Sequence, residues 1–178
     1  MRTYLRVIDS ANEWIGQAAK WLLVLLVLVV FYDIVLRYVF SIGCPWAYET
    51  AQMVGASINA LAWGYVRLHR SHIRIDVIYN KFSIKTRTYL DVVLTFVLFF
   101  PVFAVFLYTA WNWMVFAWVK NESMTMSHWY PPAAPMRTII VIGLILLFLQ
   151  FLAETIRDIY FLKYGKRPHE QEIVEADI

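Results

Sequence analysis

The sequence predicts an all-α integral membrane protein with four transmembrane helices, and three observations support this fold class. Of the 178 residues, 61% are hydrophobic and only 16% are charged, and the mean hydropathy is +0.56. A soluble domain carries more charge and fewer apolar residues. The apolar residues form four long blocks, and thirteen of the 16 lysines and arginines lie at the termini or in the middle loop. This positive-inside bias predicts that both termini are cytoplasmic.

The first predicted element is a short amphipathic helix at residues 2–15 that lies along the cytoplasmic interface. Its apolar residues recur with a helical period, and most of its charged residues lie elsewhere around the helix. That pattern is typical of a helix in the plane of the membrane surface. The chain should then turn into the bilayer and form the first span at about residues 16–39, with Lys20 reaching back to the headgroups.

The remaining spans are predicted around charge-free stretches at residues 50–66, 92–119 and 138–153, and they are placed at about residues 48–67, 88–119 and 135–160. The stretch in the second span, residues 50–66, is close to the minimum length that crosses about 30 Å of hydrocarbon. The third contains Pro101, which removes a backbone donor, so we expect a bend there. These spans complete one membrane domain over residues 1–164, which a short cytoplasmic tail follows at residues 165–178.

The middle loop carries a second apolar pattern of helical period, and we predict a second interfacial helix in it. Within this segment Asp76 has Arg74, Lys81 or a partner residue as alternative ion-pair partners. Ser83 follows the segment and is placed to cap the helix that leads into the third span.

Residues that could carry catalysis are sparse. All four histidines lie outside the predicted spans, whereas a four-helix membrane cytochrome needs histidines within its spans to bind haem. The glycines form no phosphate-binding loop, and Cys44 is the single cysteine. The net charge of +3 comes from residues beside the apolar blocks, where they orient helices and contact lipid headgroups. We therefore expect no enzymatic activity, no cofactor or metal, and no nucleic-acid partner.

Three charged residues lie where the first and second spans meet at the external side. Asp33 and Arg37 are four residues apart and able to pair along one helix face. Glu49 lies in the first turn of the second span, where a carboxylate complements the helix dipole. The connecting turn is short enough for Arg37 and Glu49 to approach each other. We interpret the three as a structural clamp or docking point, with a substrate or ion site as the alternative.

The second span also carries a concentration of small residues, with one amide among them. The members of this predicted packing surface are Gly55, Ala56, Asn59, Ala60 and Gly64. Small residues four apart permit close helix approach in membranes. The sequence leaves open whether this surface packs inside the chain or against a partner subunit. In either case Asn59 should face protein, because an amide is costly against lipid.

Several short motifs together resemble one known family. They are residues 37–40 (RYVF), 45–49 (PWAYE), 72–77 (HIRIDV), 123–127 (SMTMS) and the pair Pro131–Pro132. In this order, and with four spans, the chain resembles the small membrane subunit, or DctQ component, of tripartite ATP-independent periplasmic (TRAP) transporters. The resemblance covers nearly all of the chain.

The resemblance implies a bacterial inner-membrane scaffold subunit with two protein partners. A large multi-span subunit would carry an organic acid with sodium, and a periplasmic binding protein would deliver it. The small subunit would stabilise the large one and help to dock the binding protein. The residues expected to face the binding protein lie in the last external loop and are Lys120, Trp129, Tyr130 and Arg137. The two interfacial segments would brace the bundle among the membrane lipids.

Two other functions fit a small helical membrane protein. One is a membrane anchor for a quinone- or haem-linked oxidoreductase, which the lack of histidines within the spans disfavours. The other is a standalone small transporter, which is disfavoured because the sequence has no repeats of the kind that transporters use.

Overall fold

The computed structural model describes residues 2–69 and 83–165 of the chain. The helices there are α1 (Arg2–Val39), α2 (Pro45–Leu68), α3 (Ile84–Leu94), α4 (Phe100–Lys120) and α5 (Ala134–Tyr164). A π-helical turn at Thr95–Phe99 joins α3 to α4, and these three pieces form one continuous third helix. The predicted all-α class is confirmed.

Contacts between side chains define how the helices run. The start of α1 lies beside the end of α2, where Glu13 meets His69, so these two helices are antiparallel. The end of α2 lies beside the end of α5, where Arg67 meets Glu154, so α2 and α5 are parallel. The third helix runs antiparallel to α5 and packs mainly against it.

The bundle therefore has two distinct ends. At the terminal end lie the start of α1, the end of α2, the start of α3 and the end of α5. At the loop end lie the α1–α2 turn and the segment 121–133 between α4 and α5. At that turn the amide N–H groups of Phe40 and Ile42 both donate to the carbonyl oxygen of Leu36. Pro45 then occupies the first turn of α2, where its missing N–H costs nothing.

Within the described residues, three stretches are long and apolar enough to cross a membrane, and they are Leu5–Val39, Lys85–Lys120 and Ala134–Tyr164. The fourth predicted span lies in α2, which is a helix but is not one of these three. Glycine, serine and amide residues along α2 lower its hydropathy. Its 24 residues extend about 36 Å at the rise of an α-helix, which is enough to accompany its neighbours across about 30 Å of hydrocarbon.

The prediction of a separate interfacial helix at residues 2–15 is wrong, because α1 continues without a break through Gly16. The physical reason is that three polar residues of this segment, Asp9, Asn12 and Glu13, contact other helices. Asp9 and Asn12 bind side chains of α5. Val7 and Trp14 point outward, and Trp14 is 74% exposed. The segment thus extends the first helix instead of turning along the membrane surface.

The expected disturbance around Pro101 takes the form of the π turn. The Phe100 N–H donates to the carbonyl of Thr95, five residues back, so this turn contains one residue more than a turn of α-helix. Pro101 follows directly at the start of α4, and because it has no N–H it cannot donate to a carbonyl of the preceding turn. The predicted cap at Ser83 is confirmed, because its hydroxyl oxygen accepts the Thr86 N–H at 3.3 Å.

Two predicted regions lie outside the described residues. They are the middle-loop segment with Arg74, Asp76 and Lys81, and the tail from residue 166 onward. The last described residue, Gly165, adopts a left-handed conformation with φ of 69° and ends α5.

Candidate docking surfaces

The small residues of α2 lie on two different faces of the helix. On one face Ser57, Ala60 and Gly64 are buried, and we call these three residues the inner ridge. A side chain at Gly143 of α5 would overlap with the carbonyl oxygen of Ala60, so the two backbones are in close contact. A side chain at Gly64 would overlap with the amide oxygen of Asn12 in α1. The inner ridge therefore packs within the chain, between α1 and α5.

The opposite face of α2 is uncovered. Tyr48, Gln52, Gly55 and Asn59 follow each other at steps of four, three and four residues, and we call them the outer stripe. Tyr48, Gln52 and Asn59 are exposed, and a side chain added at Gly55 would meet nothing within 4 Å. The structure therefore divides the predicted packing surface: Ala60 and Gly64 pack inward, Gly55 and Asn59 face outward, and Ala56 is half-buried.

In the part of the chain that the structure describes, the polar groups of the outer stripe form hydrogen bonds only along the helix itself. Asn59 Nδ2 donates to the carbonyl oxygen of Gly55 at 2.9 Å, and Gln52 Nε2 donates to the Tyr48 hydroxyl at 3.0 Å. The expectation that Asn59 faces protein is not met within this chain. The exposed part of α1 at the same level differs, because every exposed residue between Trp21 and Phe31 is apolar. Lipid suits that face of α1 better than it suits the outer stripe.

At the loop end, the segment 121–133 is folded back on itself. The Met124 N–H donates to the Pro131 carbonyl at 2.8 Å, and the Ala133 N–H donates to the Glu122 carbonyl at 2.9 Å. Asn121 ends α4 in a left-handed conformation, as residues that follow a helix often do. These bonds give the segment a defined shape between α4 and α5.

Arg137 anchors this segment to the bundle. Its two terminal nitrogens donate to both oxygens of Glu122, at 2.7 and 2.6 Å, and its guanidinium carbon lies 4.0 Å from the centre of the Trp113 ring. The pKa of Glu122 is lowered by the hydrogen bond from Arg137. Arg137 was predicted to face the binding protein, but its side chain is buried within this chain, so it supports the loop-end surface from beneath. A guanidinium at the membrane edge is stabilised here by a bidentate partner within its own chain.

Glu49 also holds the segment in place. Its carboxylate is fully buried, and Oε1 accepts the Ser127 N–H at 2.7 Å. The predicted clamp is therefore split. Arg37 pairs with Asp33 at 2.8 Å on the exposed face of α1, as predicted, while Glu49 binds the segment between α4 and α5.

An open groove of about 420 Å³ lies beside these residues at the loop end. Its walls come from the α1–α2 turn, the start of α2 and the segment 121–133, with Arg37, Tyr48 and His128 among the lining residues. The predicted docking residues Lys120, Trp129 and Tyr130 are all exposed at this end of the bundle. Polar, aromatic and basic groups thus share the loop-end surface, while Arg137 supports it from beneath.

A polar cluster at the terminal end was not predicted from the sequence. Asp9 forms an ion pair with Arg157 and accepts a hydrogen bond from Gln150, and Gln150 accepts one from Asn12 at 2.9 Å. Asn12 and Gln150 are both fully buried. Beside the cluster, Arg67 and Glu154 join α2 to α5 at 2.5 Å. Side-chain hydrogen bonds and ion pairs therefore connect α1, α2 and α5 to one another at this end.

A signal for this cluster is present in the sequence. Gln150 is the single amide within the charge-free part of the last span, and Asp9, Asn12 and Glu13 lie on one side of a helix at spacings of three and four. Because a helix in the plane of the membrane surface was predicted here, no contact between these residues and the last span was expected. Among the described residues, no three histidine, cysteine or acidic side chains come together as metal ligands would.

Long apolar helices with polar contacts at both ends of the bundle are those of a small multi-pass membrane protein. The protein-family model for the DctQ component of tripartite ATP-independent periplasmic transporters matches residues 26–160 of this chain. The chain belongs to this family, as its motifs predicted, and is a transporter component and not an enzyme. A search of curated proteins and a search of solved structures each found no match.

Proposed function

We propose that this chain is the small scaffold subunit of a sodium-coupled TRAP transporter that imports an organic acid. It stabilises the large membrane subunit and helps to dock the periplasmic binding protein. Membership of the DctQ family implies both other components as partners. The observation that carries the scaffold role is the outer stripe, where hydrogen-bonding side chains face outward from an apolar bundle.

We assign the outer stripe to a transmembrane helix of the large subunit. In lipid, the amides of Gln52 and Asn59 gain no hydrogen bonds beyond those within α2, whereas a partner helix offers donors and acceptors. Gly55 lies between them and leaves room for the partner backbone to approach closely. With a helix on this face, the polar side chains of the outer stripe are shielded from lipid, which suits the low hydropathy of α2.

We assign the loop end to the periplasm and the terminal end to the cytoplasm. This orientation rests on the positive-inside bias, because basic residues are concentrated at the termini and in the middle loop. The loop-end groove and the exposed Lys120, Trp129 and Tyr130 then face the binding protein in the periplasm of a bacterial inner membrane. Trp and Tyr suit such a contact, because they supply large contact areas and also hydrogen-bond donors.

The experiment is co-purification of this chain with the large subunit of the same transporter. Gly55→Leu with Asn59→Leu should weaken the complex by about tenfold or more, because each interhelical hydrogen bond contributes about 1–2 kcal/mol in model membranes. The matched control is Asn112→Leu, which changes an exposed asparagine on α4. Equal loss of the complex in both variants would mean that the outer stripe is not the interface with the large subunit.

Transport itself is tested in liposomes. We expect uptake of an organic acid only when this chain, the large subunit, the binding protein and an inward sodium gradient are all present. Charge reversal by Lys120→Glu should raise the binding-protein concentration needed for half-maximal uptake, because an exposed charge at a docking surface chiefly affects association. Flux through liposomes that contain this chain alone would overturn the proposed function.

A further inference from the structure

A cavity of about 660 Å³ lies along the third helix, on the side where that helix faces the ends of α2 and α5. One wall consists of apolar side chains at steps of four residues, which are Leu94, Leu98, Val102 and Phe106. All four are exposed to the surroundings of the bundle. We call this cavity the third-helix groove. Its long axis follows the helix, so it also runs along the direction of the lipid chains.

Aromatic rings form the floor of the groove. The rings of Phe99 and Phe151 stack with centres 3.7 Å apart, and Phe103 stacks on Phe99 at 4.9 Å. The π turn lies at the same level and supplies Thr95, Leu98 and Phe99 to the lining. π turns inside α-helices frequently occur at functional sites. Because its walls and floor are apolar, this part of the groove suits a hydrocarbon chain.

The terminal end of the groove is charged. It is lined by the guanidinium of Arg67 and by the carboxylates of Asp91, Glu154 and Asp158. The contact between Arg67 and Glu154 uses one guanidinium nitrogen, Nη2, of a group that carries five N–H donors. The carboxylates also have interactions within the chain. Each of them has about four lone-pair sites, so it is able to accept further hydrogen bonds.

We propose that the third-helix groove binds one phospholipid with an ethanolamine headgroup. An acyl chain lies against Leu98, Val102 and the aromatic floor, and the headgroup lies at the charged end. The phosphate accepts hydrogen bonds from Arg67, and the primary ammonium donates to Asp91 and Asp158. Three carboxylates beside one guanidinium disfavour an anionic glycerol headgroup. A choline headgroup has no N–H to donate, so the same carboxylates distinguish it from ethanolamine.

The lipid would connect parts of the bundle that have few direct contacts. The third helix packs mainly against α5, whereas Arg67 belongs to α2. A phospholipid in the groove contacts both, and it replaces open space beside Phe99 and Phe151 with hydrocarbon. Loss of the lipid should therefore loosen the third helix more than the α1–α2–α5 part of the bundle.

The test is native mass spectrometry of the full chain, purified from membranes in mild detergent and then titrated with pure lipids. We expect one retained phosphatidylethanolamine, bound about tenfold more tightly than phosphatidylglycerol or phosphatidylcholine. Val102→Trp fills the groove and should abolish retention. Its matched control, Val105→Trp, lies on the same helix outside the groove, and the two valines are 68% and 67% exposed.

Asp91→Asn tests the headgroup separately, and it should reduce the preference for ethanolamine while the acyl chain still binds. Circular dichroism and a monodisperse elution profile establish that each variant is folded, and Leu98→Trp is the second groove-filling variant. Equal retention in the Val102 and Val105 variants would overturn the proposal, as would equal binding of phosphatidylglycerol. A complex with the large subunit that lacks the lipid, but that Val102→Trp disrupts, would assign the groove to a protein helix instead.

Discussion

The two faces of α2 carry similar residues and have opposite surroundings. The inner ridge has Ala60 and Gly64 packed against Gly143 and Asn12, with no room for a larger side chain. The outer stripe has Gly55 and Asn59 at the same level of the same helix, with open space beside them. Small residues alone therefore do not identify a partner interface. What separates the two faces is whether another helix of this chain already fills the space.

The difference also assigns a distinct consequence to each face. A change in the inner ridge alters the fold of the subunit, and loss of the partner follows from misfolding. We expect a change in the outer stripe to leave the bundle intact and to alter only the proposed contact with the large subunit. Measurements of stability and of assembly on the same variants separate these two outcomes.

The largest expected effect is that of Gly64→Leu compared with Gly55→Leu. Leucine at position 64 collides with Asn12 and disrupts the bond from Asn12 to Gln150, and such overpacking with loss of a buried hydrogen bond costs about 3 kcal/mol or more. Leucine at position 55 should leave the thermal unfolding temperature in detergent unchanged. Similar unfolding temperatures for both variants would contradict the assignment of the two faces.

A smaller effect is expected for Gln150→Leu, in the terminal polar cluster behind the inner ridge. This change removes one of the two acceptors of the buried Asn12 amide, which keeps its bond to the Ile8 carbonyl, and the loss of a buried hydrogen bond costs about 1–3 kcal/mol. The measurement is chemical unfolding followed by circular dichroism. Gln52→Leu, a change of the same kind on the outer stripe, is the control and should cost less than half as much.

Next is Glu49→Leu, which removes the acceptor of the Ser127 N–H at the loop end. We expect the free energy of unfolding to fall by about 1–2 kcal/mol, because the hydrogen bond to Ser127 is lost. Removal of the buried carboxylate offsets part of this loss. Proteolysis within residues 121–133 should become faster, since the segment loses one attachment. Thr50→Leu is the neighbouring control, and an equal increase in cleavage for both would contradict the role of Glu49.

The smallest expected effect is a pH dependence from Glu122. Arg137 lowers the pKa of this carboxyl below its ordinary value of 4.5, so the pair adds stability above that pH. The added stability is lost as the pH falls from 4.5 through the lowered pKa. The effect is small because Glu122 is 36% exposed. Glu122→Gln should remove this part of the acid sensitivity, and an unchanged acid profile would contradict it.

Several features could be predicted from the sequence because they depend on local patterns. Charge-free stretches gave the helices, Ser83 gave a cap, and the spacing of Asp33 and Arg37 gave an ion pair. The bond from Glu49 to Ser127 joins residues 78 positions apart, and nothing local specifies it. The burial of Arg137 likewise depends on the path of the segment that brings Glu122 back to it.

The sequence by itself determined the family, the all-α class and the positions of the helices, because hydrophobic blocks and short motifs are properties of neighbouring residues. Only the tertiary structure decided which face of α2 is covered, that the first helix is continuous, and that Arg137 supports the loop from within. Each of these depends on which helix lies beside another. In a membrane, where most helix surfaces are apolar, that choice is made by a few small and polar residues that meet across the bundle.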